Sequence, residues 1–339
     1  MRRIRRNKRG KQKKVVIIGS LSLLIVMTIG YAAFSTNLNI TAKGNVKEKS
    51  RVIQSWSSTD TTNFHSTFYK EHIVNITFLD NADVPNNATE SWNVSEDKTH
   101  GGVMAWVIPN NEDNTKYDLY IGAKDGVIAN KNSNYLFYCF VATKTINFGS
   151  NFDTSNTTSM YLMFSNCIEL LTLDLSNFDT RNVRNMGNMF VGTVSNNPMK
   201  IETIIFGENF KTNNVTNMYA MFGNCNSLVN LDVSGFDTSN VTTMHDMFSS
   251  CHSLTNIDVS GFNTSKVTDM HGMFFACRSL TSLDLCSFDT SNVTDMVSMF
   301  QYITNLSKVT VGLNWSTTNA NTNAMFTGSG ISEVTTGQC

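Results

Sequence analysis

Apolar and polar positions in the second half of this chain return with a fixed period. Met-Phe pairs end at Phe164, Phe190, Phe222, Phe248, Phe274, Phe300 and Phe326, with an interval of 26 residues in five cases and 32 in the sixth. The long interval contains "VGTVSNNPMKIET", residues 191–203, which reads as an insertion bulging from one coil. Within the second unit the apolar positions are Cys167, Leu170, Leu173, Leu175, Phe178, Val183, Met186, Met189 and Phe190. Leu173 and Leu175 flank Asp174 with the two-residue alternation of a short strand. Val183, Met186, Met189 and Phe190 fall at i, i+3, i+6 and i+7, which predicts one or two helical turns capped from the position of Thr242, Thr268 and Thr294. Each unit is expected to run strand, turn, short helical segment and return. No such unit can bury its apolar side alone, so units are expected to stack.

The methionines and cysteines follow the period. Thirteen of 17 Met residues lie in M-x-x-M-F segments, where an unbranched thioether suits the centre of a tapering coil better than it suits a metal. Cys167, Cys225, Cys251 and Cys277 share one repeat position inside C-x-x-L-x-x-L-x-L, the spacing of leucine-rich repeats, and read as a ladder of buried thiols. Cys139, Cys286 and Cys339 lie off that ladder, and a total of seven leaves at least one unpaired. The expected class is therefore α/β: a leucine-rich-repeat solenoid over residues 135–331, with one short parallel β-strand and one short helical segment per coil.

Upstream, residues 45–134 do not repeat. "HIVNITFLD" and "GVMAWVIPN" read as strands, and "YDLYIGAKDGVIAN" as a hairpin turning at Lys124, Asp125 and Gly126. The region reads as a small, mainly β module capping the open end of the stack, or alternatively as a separate ligand-binding domain.

Charge adds a direction. The formal net charge is -1, yet residues 1–14 carry nine Lys or Arg and no acid, so the remainder is strongly acidic. The next twenty residues, 15–34, are uncharged, long enough to cross a bilayer as a hydrophobic helix with the basic run held on the cytoplasmic side. They read either as a signal peptide, with Gly30 and Ala32 at small-residue cleavage positions, or as a retained anchor. A basic run abutting such a segment is a topology signal, so nucleic acid is not an expected partner. The rest of the chain is expected outside the cell, at its surface or secreted.

The segments "MFSNCIELLTLDLSNFDTRNV", "MFGNCNSLVNLDVSGFDTSNVTTM" and "MFFACRSLTSLDLCSFDTSNVTDM" resemble the repeats of BspA-like bacterial surface proteins. The resemblance implies surface display and adhesion to a host matrix protein, another surface protein or a glycan, with no catalytic residues and no cofactor. The expected function is thus an exported binding protein, with a self-associating component of the cell envelope or biofilm matrix as the alternative and an enzyme third. The candidate binding residues are the outward strand positions Asp174, Asp232, Asp258 and Asp284, whose carboxylates would line up at about 4.8 Å and attract a cation or a basic surface. Their competing reading is a solvated face that deters aggregation. A second row, Asp153, Asp179, Asp237 and Asp289, reads as turn-forming, and Thr154, Thr180, Thr212, Thr238, Thr264 and Thr290 beside it as coil-to-coil hydrogen bonding. His245 and His271 read as exposed histidines. No spacing for zinc, a P-loop or a nucleophile elbow is present, so no metal site and no enzyme is expected.

Overall fold

The computed structural model describes residues 49–193, 198–337 and 339. By its contacts the chain divides into Met1–Lys47 and Glu48–Cys339, and the described residues belong to the second unit. The expected hydrophobic helix at residues 15–34 lies outside them. Among the described residues no helix is long and apolar enough to cross a membrane.

The N-terminal part begins with a 3-10 turn, Asn63–His65, and α1, Thr67–His72, where the Ser66 hydroxyl accepts the Tyr69 N–H at 3.3 Å. Five strands follow: β1 Ile73–Leu79, β2 Glu90–Asn93, β3 Met104–Pro109, β4 Tyr117–Gly122 and β5 Val127–Ile128. β6 Thr145–Asn147 and β7 Phe152–Asp153 belong to the first coil of the repeat. The larger sheet has the order β2-β3-β4-β1-β6, antiparallel at β2/β3 and β3/β4 and parallel at β4/β1 and β1/β6. β1 thus takes the place of a preceding coil's strand and continues the stack. The turn expected at Lys124, Asp125 and Gly126 is present, with Asp125 and Gly126 at φ 60° and 85°. It does not close a hairpin: β5 pairs in parallel with β7 instead of returning along β4.

The expected class of the repeat is overturned. No coil contains a helix, and α1 and the 3-10 turn are the only helical pieces among the described residues. Beyond the first coil, strands are confined to β8 Thr172–Leu175, β9 Thr203–Phe206, β10 Ser282–Leu285, β11 Lys308–Val311 and β12 Thr335–Thr336. They form small separate sheets, β8-β9 and β10-β11-β12, so the leucine-rich-repeat α/β description fails on both its halves.

The physical reason lies in the M-x-x-M-F segment. Its second x has a left-handed backbone in coil after coil: Leu162, Asn188, Ala220, Asp246, Gly272, Ser298 and Ala324 all have φ between 45° and 57°. A second left-handed residue follows four positions later at Asn166, Asn224, Ser250, Ala276 and Tyr302. A helix cannot pass through such residues. The chain instead makes successive tight turns, and alternate amides cross to the next coil. At the end of the first coil Met163 and Ser165 donate to carbonyls three residues back, while Leu162 and Phe164 donate to Gly187 and Met189 of the second. Three-residue turns return side chains to one side almost as a helix does, which is why the periodicity resembled one.

That side is the core. All thirteen methionines of the M-x-x-M-F segments are buried, as are Val183, Val215, Val241, Val267 and Val293. One phenylalanine per coil stacks on the next, with ring centroids 5.8, 5.4, 5.7, 5.6 and 6.0 Å apart from Phe164 through Phe190, Phe222, Phe248 and Phe274 to Phe300. Each fully buried ring contributes about 1.5–3 kcal/mol through burial.

Candidate functional site

The outward strand row starts from alternation. In β8 and β10 the buried residues are Leu173, Leu175, Leu283 and Leu285, which leaves Asp174 and Asp284 exposed. Asp232 and Asp258 occupy the same repeat position and are also exposed. The row is not continuous carboxylate. Asp174 is paired across β8/β9 with Ile205, an exposed apolar residue, and Asp284 across β10/β11 with Thr310.

Nor is the row evenly spaced by a ladder. Between β9 and β10 the two intervening coils carry no assigned strand, and Val233, Ile257 and Val259 donate no backbone hydrogen bond among the described residues.

Each of the four carboxylates has a local task. Asp174, Asp232, Asp258 and Asp284 accept the backbone N–H two residues on, from Ser176, Ser234, Ser260 and Cys286, at 2.9, 3.0, 2.9 and 3.0 Å. The Ser234 hydroxyl and N–H hold Asp232 below its ordinary carboxylate value, and those of Ser260 do the same for Asp258, so turn bonding outweighs mutual repulsion. Among the described residues no group of three or more His, Cys, Asp or Glu could hold a metal ion. The row is a charged surface built on turns, interrupted by one isoleucine.

The neighbouring rows hold the coils together. Asp153, Asp237 and Asp289 accept the N–H of Ser155, Ser239 and Ser291. The buried threonines Thr154, Thr180, Thr212, Thr238, Thr264 and Thr290 donate their hydroxyls to a carbonyl of the following coil at 2.7–3.0 Å. The residues expected to cap a helix, Thr242, Thr268 and Thr294, also bond coil to coil, donating to Thr216, Thr242 and Thr268. The ladder cysteines are free and buried, with the thiols of Cys225, Cys251 and Cys277 donating to the carbonyls of Phe190, Phe222 and Phe248. Off the ladder, Cys286 and Cys339 form a disulfide.

One cluster is more organised than its sequence indicated. His245 and His271 stack at 4.5 Å, with Tyr219 4.9 Å from His245. His245 lies between Asp246 at 3.3 Å and Asp269 at 3.1 Å, and His271 lies 3.6 Å from Asp295. Asp246, then Asp269, push the His245 imidazolium up to about 10. Shared repeat position and nearby acids gave the signal; the left-handed backbone at Asp246, which turns its carboxylate onto the ring, was not readable.

A family model matches the chain twice, over residues 132–252 and 216–335, and its overlapping matches together span more than half of it. No curated protein and no solved structure matches. The chain belongs to the family described as Mycoplasma protein of unknown function, DUF285.

Proposed function

We propose that this protein is exported and displayed on a bacterial surface, where the outward strand row of its stacked coils binds a macromolecular partner without chemistry. The observation that carries this reading is the exposed row Asp174, Ile205, Asp232, Asp258 and Asp284, an acidic strip with one apolar contact set over a buried core. Such a strip suits a basic protein surface or a polyhydroxylated glycan, recognised by area and charge. The finer kinship to BspA-like surface proteins rests on the quoted repeat segments, and export rests on the basic and apolar run of residues 1–34.

Asp→Asn substitutions test it cleanly. Asn accepts the same turn hydrogen bond, as Asn263 does from the Ser265 N–H at 3.1 Å, so the fold is kept while charge is removed. The chain is expected to bind at least one member of an immobilised panel of matrix proteins and glycans. The triple variant Asp232→Asn, Asp258→Asn, Asp284→Asn is expected to lose about tenfold or more in affinity, with less dependence on salt. Equal binding by parent and folded variant would move the adhesive surface elsewhere.

A second reading, an envelope or matrix component acting by self-association, is favoured by the last coil. Ala324, Phe326 and Gly328 stand where earlier coils donate to their neighbour, and their N–H groups donate to nothing among the described residues. Sedimentation at rising concentration distinguishes the two.

A further inference from the structure

The cleft where α1 meets the first coil holds groups that neither the repeat nor its binding face uses. It has a volume of about 230 Å3, below the ~300 Å3 at which drug-sized pockets begin, so its ligand is small. Lys70, Asp60, Glu71, His65 and Cys139 line it. His65 is fully buried in the wall, stacked on Trp56 at 4.5 Å and edge-on to Phe140, with the Leu136 backbone as a polar neighbour of its ring. Burial first, and then the Lys70 charge, push the imidazole well below its ordinary value, so it is a neutral donor and acceptor.

Lys70 is almost fully buried, with its ammonium 5.7 Å above the Tyr138 ring. Burial lowers it from its ordinary value, while Cys139 and Asp60 favour its charge. Cys139 is the only free cysteine among the described residues that is not buried, and its sulfur accepts from Asn166 Nδ2 at 3.8 Å. Tyr138, beside it, is pushed up to about 12, first through its bond to Cys139. The cleft therefore offers one cation, two carboxylates and a thiol that is not buried, within a space fit for a small molecule.

We propose that this cleft receives a small zwitterionic disulfide of the cystine type, and that Cys139 exchanges with it to form a mixed disulfide. Lys70 takes the ligand's carboxylate, and Asp60 and Glu71 its ammonium. The Cys139 thiolate attacks one ligand sulfur, a new S–S bond forms, the ligand's own S–S bond breaks, and the departing half leaves as a thiolate that takes up the proton Cys139 lost. The ligand is itself the oxidant: Cys139 is oxidised and the departing half reduced. The ladder thiols do not compete, because burial pushes Cys225 and Cys277 up to about 12 and Cys251 well above its ordinary value.

The test compares cystine with the uncharged bis(hydroxyethyl) disulfide on the full chain, each rate divided by that of the same disulfide with a free cysteine peptide. Intact mass and peptide mapping locate the adduct. A single adduct on Cys139 is expected, with cystine favoured by about tenfold or more, the value of one charge-assisted hydrogen bond. Lys70→Gln is expected to abolish that preference while leaving Cys139 reactive to the uncharged disulfide. Asp60→Asn, at the more exposed rim, makes the same comparison should Lys70→Gln fail to fold. No adduct on Cys139, an adduct elsewhere, or equal normalised rates for the two disulfides overturns the proposal.

Discussion

His245 shows how a single side chain ties coils together through charge. Its Nε2 faces Asp246 of its own coil and its Nδ1 faces Asp269 of the next, so one imidazolium bridges two turns of the stack. Held up to about 10 against an ordinary value of 6.5, it contributes stability that is fully present below pH 6.5. That contribution is lost as pH rises through about 10. Asp269, which burial alone would raise, is held below its ordinary value by His245, so its share is present above the usual carboxylate range and lost on acidification. The expected outcome is a His245 ring that titrates above pH 9 by NMR, and stability falling between pH 7 and 10 more in the parent than in His245→Gln. The facing groups, Tyr219, His271 and Asp295, are common to both proteins. The histidine positions and their acids were legible in sequence. Their arrangement was not, because it depends on left-handed residues at Asp246 and Gly272 that no residue type announces reliably: Leu, Asn, Ala, Asp, Gly and Ser all fill that position.

At the scale of the element, the coil-to-coil bonds of the threonines decide what each turn can tolerate. The Thr264 hydroxyl donates to the Asp289 carbonyl at 2.9 Å and accepts the Asp289 N–H at 2.8 Å, so one buried oxygen serves both backbone polar groups of a residue in the next coil. Thr264→Val keeps the shape and removes both bonds. The loss is expected to be about 1–3 kcal/mol in urea unfolding, against under about 0.5 kcal/mol for the exposed Thr255→Val. This ladder, the turn-forming aspartates and the buried methionines were readable, because each follows from residue type at a fixed repeat position. The helix was misread because apolar spacing of three and four residues fits two structures, a helix and a ribbon of successive turns. Only hydrogen bonding separates them, and in Leu162, Phe164 and their equivalents it runs to the next coil. The hairpin at Lys124–Gly126 failed for a related reason. The turn is local and legible, whereas the strand that β5 chooses, β7, is set by packing.

Across the whole molecule the coils are sewn along two seams of unequal strength. The turn seam is unbroken: Phe164, Phe190, Phe222, Phe248, Phe274 and Phe300 each donate to the following coil at 2.9–3.0 Å. The strand seam is closed at β8-β9 and at β10-β11-β12, where the Cys286–Cys339 disulfide also ties the C-terminal segment to a coil, and is open between. Amide exchange is the measurement that reads the difference. Val233, Ile257 and Val259 are expected to exchange about a hundredfold or more faster than Phe248 and Phe274, although all five side chains are buried. Exchange slowed equally at both sets would mean that the strand seam closes in solution. In mechanical terms the open stretch is a compliant joint. A seam bonded on one side only bends before it stretches, so a load pulling along the stack is met first by flexing at these two coils, while the phenylalanine column and the turn seam act as the hinge pin. Asp232 and Asp258 ride on that joint, and the spacing between their carboxylates becomes a quantity that tension sets.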